Sequence, residues 1–254
     1  MMHWYKILLF YLWVAPHLLL VFIAILLLKR RLYKRFPIFT LYVWYEIAEF
    51  VLLFNISITG LNQGSLYMRV FLVTFAISTA LRFGVLQEIF NNVFREHGEL
   101  DALARLLLRW TTGFLVIAAV VGAIVSSGQT SDSLLAGVAW ISRGVAIIQC
   151  GLVLFLLLFS GLFGLTLQSY VFGIALGFGI LSSVELANSA MRTGELTEST
   201  ARVLNLLPTG GYHVAVLFWL GYLLFPSKTT ILQPSDLPMN KVDQWNRELE
   251  RFLQ

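Results

Sequence analysis

Apolar runs of about 20 residues, separated by short polar segments, constrain this chain more than any other feature. A helix needs about 20 apolar residues to cross the hydrocarbon of a bilayer. Such runs fall over residues 7–28, 37–59, 66–90, 110–127, 134–159, 169–191 and 201–225. The composition agrees: 58% of the 254 residues are hydrophobic and 13% are charged. A soluble globular chain carries about 25% charged residues. The pattern predicts an all-α membrane protein, a bundle of seven transmembrane helices over residues 1–226. A tail over 227–254 follows. Within it, Val242, Trp245, Leu249 and Phe252 recur at helical spacing and predict a short amphipathic helix over 237–254. That helix is expected to lie on lipid headgroups, or to dock a cytoplasmic protein partner.

Orientation is read from Lys and Arg beside the spans, because cytoplasmic loops carry the excess. Lys29, Arg30, Arg31, Lys34 and Arg35 follow the first span, and Arg95, Arg105 and Arg109 follow the third. Lys228, Lys241, Arg247 and Arg251 lie in the tail. Putting these on one side places the N-terminus outside and the C-terminus in the cytoplasm, in a multi-pass protein of a bacterial inner membrane. The first span lacks a basic start and a small-residue cleavage site, so a retained helix is expected. Pro37 suits the first turn of the second helix.

Several classes are excluded. The net charge of +4 comes from basic residues clustered beside spans, which argues against a nucleic-acid face. A single cysteine, Cys150, forbids an intrachain disulfide and a Cys-based metal centre. No metalloprotease, nucleophile-elbow or phosphate-loop motif is present, so no enzyme is expected. The last span has no lysine for a retinal Schiff base.

Ionisable groups inside the spans are the candidate functional residues. Each costs at least about 2.5–3.5 kcal/mol at the bilayer centre, so they face the interior and pair. Counting about 1.5 Å per residue from the span ends matches Arg82 with Glu46, and Arg143 with Glu185. Glu49, one turn from Glu46, is a candidate proton-linked group or ligand contact. Arg143, Glu185, His213 and Gln149 form a candidate ligand-binding set, with Arg143 anchoring an anionic group and Glu185 holding it. Glu46, Glu49 and Arg82 form a candidate polar path. Pro208, Gly210 and Gly211 predict a break and hinge in the last span. His17 and His213 at similar depth give a bis-histidine alternative for haem b; no cofactor or metal is otherwise expected. Gly137, Gly144 and Gly151 predict one seam, and Gly173 with Gly177 another.

Three stretches carry a resemblance: Arg35 to Tyr42, Leu81 to Phe90 and Ser169 to Gly179. They resemble uncharacterised bacterial seven-transmembrane-helix membrane proteins of the acidobacterial type, which are loosely similar to seven-helix sensor input modules. No site residue is carried over from them. That family has no assigned activity; the intramembrane residues lead to a receptor-like or sensor-like protein that binds a small or lipid-like ligand among the outer halves of the last three spans and signals to a cytoplasmic partner. A transporter or channel through Glu46, Glu49 and Arg82 is the alternative, and a haem-binding electron carrier a second one.

Overall fold

The computed structural model describes residues 2–58, 65–94, 131–159, 170–191 and 197–225. These form six long helices: α1 Met2–Lys29, α2 Pro37–Ile58, α3 Ser65–Phe94, α4 Ser131–Phe159, α5 Tyr170–Met191 and α6 Glu198–Leu224. A 3-10 turn, Leu32–Lys34, joins α1 to α2, and there are no strands among the described residues. Five of the helices contain a span long and apolar enough to cross a membrane. In α4 the apolar stretch Arg143–Leu158 is shorter. The chain is a multi-pass helical membrane protein. The expected span over 110–127 and the tail helix over 237–254 lie outside the described residues.

The helices are apolar nearly all round, because their outer faces meet lipid instead of water. Trp4, Leu158 and Phe225 are 76%, 70% and 79% exposed. α6 packs on α5 and α1, α2 on α1 and α3, and α4 on α3 and α5, with α3 also reaching α5. The helices thus close a ring. The tightest seam is α5 against α6. At Gly173 a β-carbon would run into the Tyr222 ring, and at Gly177 into the Trp219 indole. These glycines let two aromatic rings lie on the α5 backbone, as the small-residue spacing predicts. Trp219 Nε1 then donates to the Ile174 carbonyl at 3.1 Å.

The other predicted glycine seam does not form as expected. Gly151 is exposed, with nothing within 4 Å of a β-carbon built there. α4 instead meets α5 through Val153, which lies against Gly179.

One end of the ring is fixed by polar clamps. α1 ends where Arg31 turns into the left-handed region at φ 55°. Arg30 reaches across this end, donating from Nη2 to the Leu224 carbonyl at 3.1 Å and from Nη1 to the Tyr170 hydroxyl at 3.4 Å. A cation is favourable beside the free carbonyls of a helix C-terminus. α2 starts at the same end. Pro37 has no N–H to lose, and Thr40 N already bonds to the Phe36 carbonyl. That leaves Ile38 and Phe39 N–H without helical partners. The Glu88 carboxyl of α3 takes both, each at 2.9 Å. Phe90 of α3 stacks with Phe155 of α4 toward this end as well, at 6.2 Å. We call it the basic face, after Lys29 to Arg35. α3 and α4 therefore run in the same direction, both ending there, while α5 starts there.

Candidate functional site

α2, α3, α5 and α6 bring a polar cluster to the middle of the bundle. On α2, Tyr42, Glu46 and Glu49 follow one another at steps of a helical turn, as do Thr74, Ser78 and Arg82 on α3. The two stripes face each other as a ladder. Glu49 lies beside Thr74. Tyr45 donates to the Thr74 carbonyl at 2.8 Å. Ser78 Oγ donates to Glu46 Oε1 at 2.6 Å, and from α6 the Tyr212 hydroxyl donates to Glu46 Oε2 at 3.1 Å. Arg82 Nη1 donates to Glu185 Oε1 of α5 at 2.7 Å, an ion pair with side chains 16% and 24% exposed.

These pairings correct both pairs expected from depth counting. Arg82 holds Glu185, not Glu46. Register explains this. The Glu88 clamp sets α3 level with the start of α2, so Glu46 meets Ser78, while Arg82 sits about one turn nearer the basic face. Arg143 likewise does not reach Glu185. It donates from Nε to Ser189 Oγ and from Nη2 to the Ser189 carbonyl, both at 2.6 Å. α4 and α5 run antiparallel, with Gln149 opposite Ser182, Cys150 opposite Ser183 and Arg143 opposite Ser189. Glu185 therefore faces a level about one turn from Arg143. With its donors bound to Ser189, Arg143 works as a tie between α4 and α5.

Of the rest of the expected ligand set, Gln149 lies on the α5 face that carries Glu185, and His213 packs elsewhere. Gln149 is fully buried and accepts from Ser182 Oγ at 3.1 Å through Oε1. His213 packs against Tyr11, with ring centroids 5.7 Å apart. His17 stacks on Phe50 at 4.2 Å, approaches Tyr212 at 5.7 Å, and engages the Trp13 carbonyl through Nδ1 at 2.7 Å. Each histidine faces a tyrosine of the other helix. The expected break in the last span is also corrected. α6 stays helical through Pro208, Gly210 and Gly211. Thr209 Oγ1 bonds to the Leu206 carbonyl at 3.0 Å, and Gly211 serves close packing, since a β-carbon there would stand 2.7 Å from Val184.

Two features escaped the sequence. Glu88 was not singled out among the charges of the spans, yet it is 6% exposed and caps α2. The usable signal was Pro37, which announces a helix start whose next N–H groups need an acceptor. Tyr212 and Tyr42 were not singled out either, and only the fold turns the Tyr212 hydroxyl onto Glu46 and sets Tyr42 beside Arg82.

Among the described residues, the interior between the ladder and the Glu88 clamp at the basic face is largely apolar. Phe39, Tyr42, Phe178 and Trp219 are all fully buried, with neighbouring rings 4.9–6.4 Å apart. Val85, Leu86 and Ile89 continue this packing on α3. The polar ladder therefore ends on an aromatic floor. No group of three or more His, Cys, Asp or Glu able to hold a metal exists among the described residues. No protein-family model, curated protein or solved structure matches the chain.

Proposed function

We propose that this protein is a receptor-like or sensor-like membrane protein that binds a small or lipid-like molecule in the polar centre of the bundle. The observation that carries this reading is the blind end of the ladder. Polar groups line the interior from Glu49 and Thr74 to Arg82 and Glu185, and then stop at Phe39, Tyr42, Phe178 and Trp219. A conducting path needs polar or wet groups through to the second face. A binding site needs only one open approach and a floor.

α6 offers a route for a signal. Tyr212 touches Glu46 at the site, and the same helix continues unbroken to Leu224, whose carbonyl Arg30 holds at the basic face. A ligand that favours one position of Tyr212 over another shifts the balance between two packings of α6, which is what a signal requires. Pro208 lies one turn beyond Tyr212 and marks where the helix bends most easily. In this reading the basic face is cytoplasmic, the membrane is a bacterial inner membrane, and a partner protein takes up the signal there. The parallel course of α3 and α4 supports a seventh crossing between them, over the apolar run 110–127.

The test is what the protein carries out of its own membrane. Mass spectrometry of the purified full chain is expected to show a stoichiometric bound amphiphile. The double variant Arg82→Leu with Glu185→Leu removes the ion pair without stranding a charge, and is expected to lose that species while staying folded. Retention of the same species by the double variant counts against the site. Proton or potassium flux in proteoliposomes would favour the transporter reading.

A further inference from the structure

The unused hydrogen-bonding capacity at this centre is mostly on the donor side. Among the buried side-chain atoms without a partner are the Tyr42 hydroxyl, Arg82 Nε and Gln149 Nε2. An arginine Nε–H and an amide NH2 are donors only, and a tyrosine hydroxyl donates readily. They lie within about a turn of one another along the bundle. Tyr42 stands beside the Arg82 guanidinium and packs on Phe178 at 5.3 Å. Ser182 is one turn on from Phe178 along the same face of α5, and holds Gln149. Glu185, which holds Arg82, follows on that face. Of the acceptors here, Glu46 takes two hydroxyl donors, Glu185 Oε1 takes Arg82 Nη1, and Gln149 Oε1 takes Ser182. Buried donors without partners are costly and call for an acceptor from elsewhere.

Charge decides what kind of acceptor. Glu46, Glu49 and Glu185 are three carboxyl groups around one guanidinium, and that guanidinium already has its counter-ion. An anionic headgroup would add like charge to this set, at a cost that grows in a low-dielectric interior. An uncharged carbonyl adds two lone pairs and no charge. Resting on the proposed function above, we propose that the site recognises an uncharged, carbonyl-bearing amphiphile, its oxygen taken by the Tyr42 hydroxyl and Arg82 Nε–H, with Gln149 NH2 as a second donor. This reverses the anionic ligand that Arg143 suggested in the sequence.

The test uses the full chain in lipid nanodiscs with three probes of equal chain length: carbonyl-13C decan-2-one, decanoate and decylamine. Decan-2-one is expected to raise the melting temperature saturably. Its carbonyl stretch is expected to split into a bilayer band and a saturable band at lower frequency, the mark of a hydrogen-bonded carbonyl. Tyr42→Phe and Gln149→Leu each delete a donor that has no partner in the unliganded protein. Tyr42→Phe is expected to fold with an unchanged or higher melting temperature, and Gln149→Leu, which also removes the acceptor of the buried Ser182 hydroxyl, with a lower one; both are expected to bind the ketone roughly tenfold more weakly. A low-frequency band that persists unchanged in both variants overturns the assignment of donors. Stronger stabilisation by decanoate or decylamine overturns the ligand class and leaves the proposed function standing. If no probe acts saturably, the donors are met by ordered water only, and both readings fall.

Discussion

Arg82 is the residue on which the interior turns. It carries the only guanidinium in the central cluster of named groups, and Glu185 neutralises it across the α3–α5 contact. Deleting one member of a buried pair leaves the other charge stranded, while deleting both does not. Arg82→Leu alone is expected to cost about 3 kcal/mol, and the double change with Glu185→Leu much less. Arg82→Leu with Glu46→Leu should not recover the loss, because Glu46 bonds to Ser78 and Tyr212. Thermal melts of these three variants beside the parent protein in detergent check this; recovery by the Glu46 change instead would restore the pairing read from depth. The identities of the buried charges were legible in the sequence, since an apolar span exposes any Arg or Glu within it. Their partners were not. Depth counting carries an error of about one turn at each span end, and one turn is the spacing between Glu46 and Tyr42, or between Arg143 and Ile147. A salt bridge is decided at that resolution.

At the scale of the helix, ends and seams set this register. Glu88 supplies two charge-assisted hydrogen bonds to the start of α2. Glu88→Leu returns Ile38 and Phe39 N–H to an orphaned state and is expected to cost about 2–3 kcal/mol. Amide hydrogen exchange should accelerate first at Ile38 and Phe39; unchanged protection there would show that the cap is idle. The glycines give a paired contrast. Gly177→Ala drives a methyl into the Trp219 indole and is expected to destabilise by about 1–3 kcal/mol. Gly151→Ala meets open space and gains helix propensity of up to about 1 kcal/mol. Melting temperatures that move in the same direction for both would contradict the assigned seams. Helix existence was legible because 20 apolar residues in a row have few other fates. The Gly173–Gly177 seam was legible too, through its spacing on one face. The Gly151 line was misread because periodicity alone does not say whether a stripe faces protein or lipid, both being apolar. Pro208 was misread because a proline removes one hydrogen bond, which a well-packed helix absorbs without breaking.

At the scale of the molecule, six described helices close a ring with a polar centre and an aromatic floor, and the proposed function rests on that floor. In a Cys150→Ser background, cysteines placed at Lys34 and Thr197 should report opposite faces to a membrane-impermeant thiol reagent, Thr197 reacting in intact cells and Lys34 only after lysis. The reverse pattern would invert the orientation read from the basic clusters. The central claim is tested most directly by the same chemistry inside the bundle. Single cysteines at Glu49 and Thr74 lie along the ladder, and single cysteines at Val85 and Ala175 lie in the apolar packing beyond it, both nearly fully buried. A small, water-soluble thiol reagent applied to each side of sealed vesicles in turn is expected to modify Glu49→Cys and Thr74→Cys from the side away from the basic face. Val85→Cys and Ala175→Cys should stay unmodified from either side. Modification of Val85→Cys or Ala175→Cys from the basic face, at rates like those of the ladder positions, would show a continuous wet path and contradict the account.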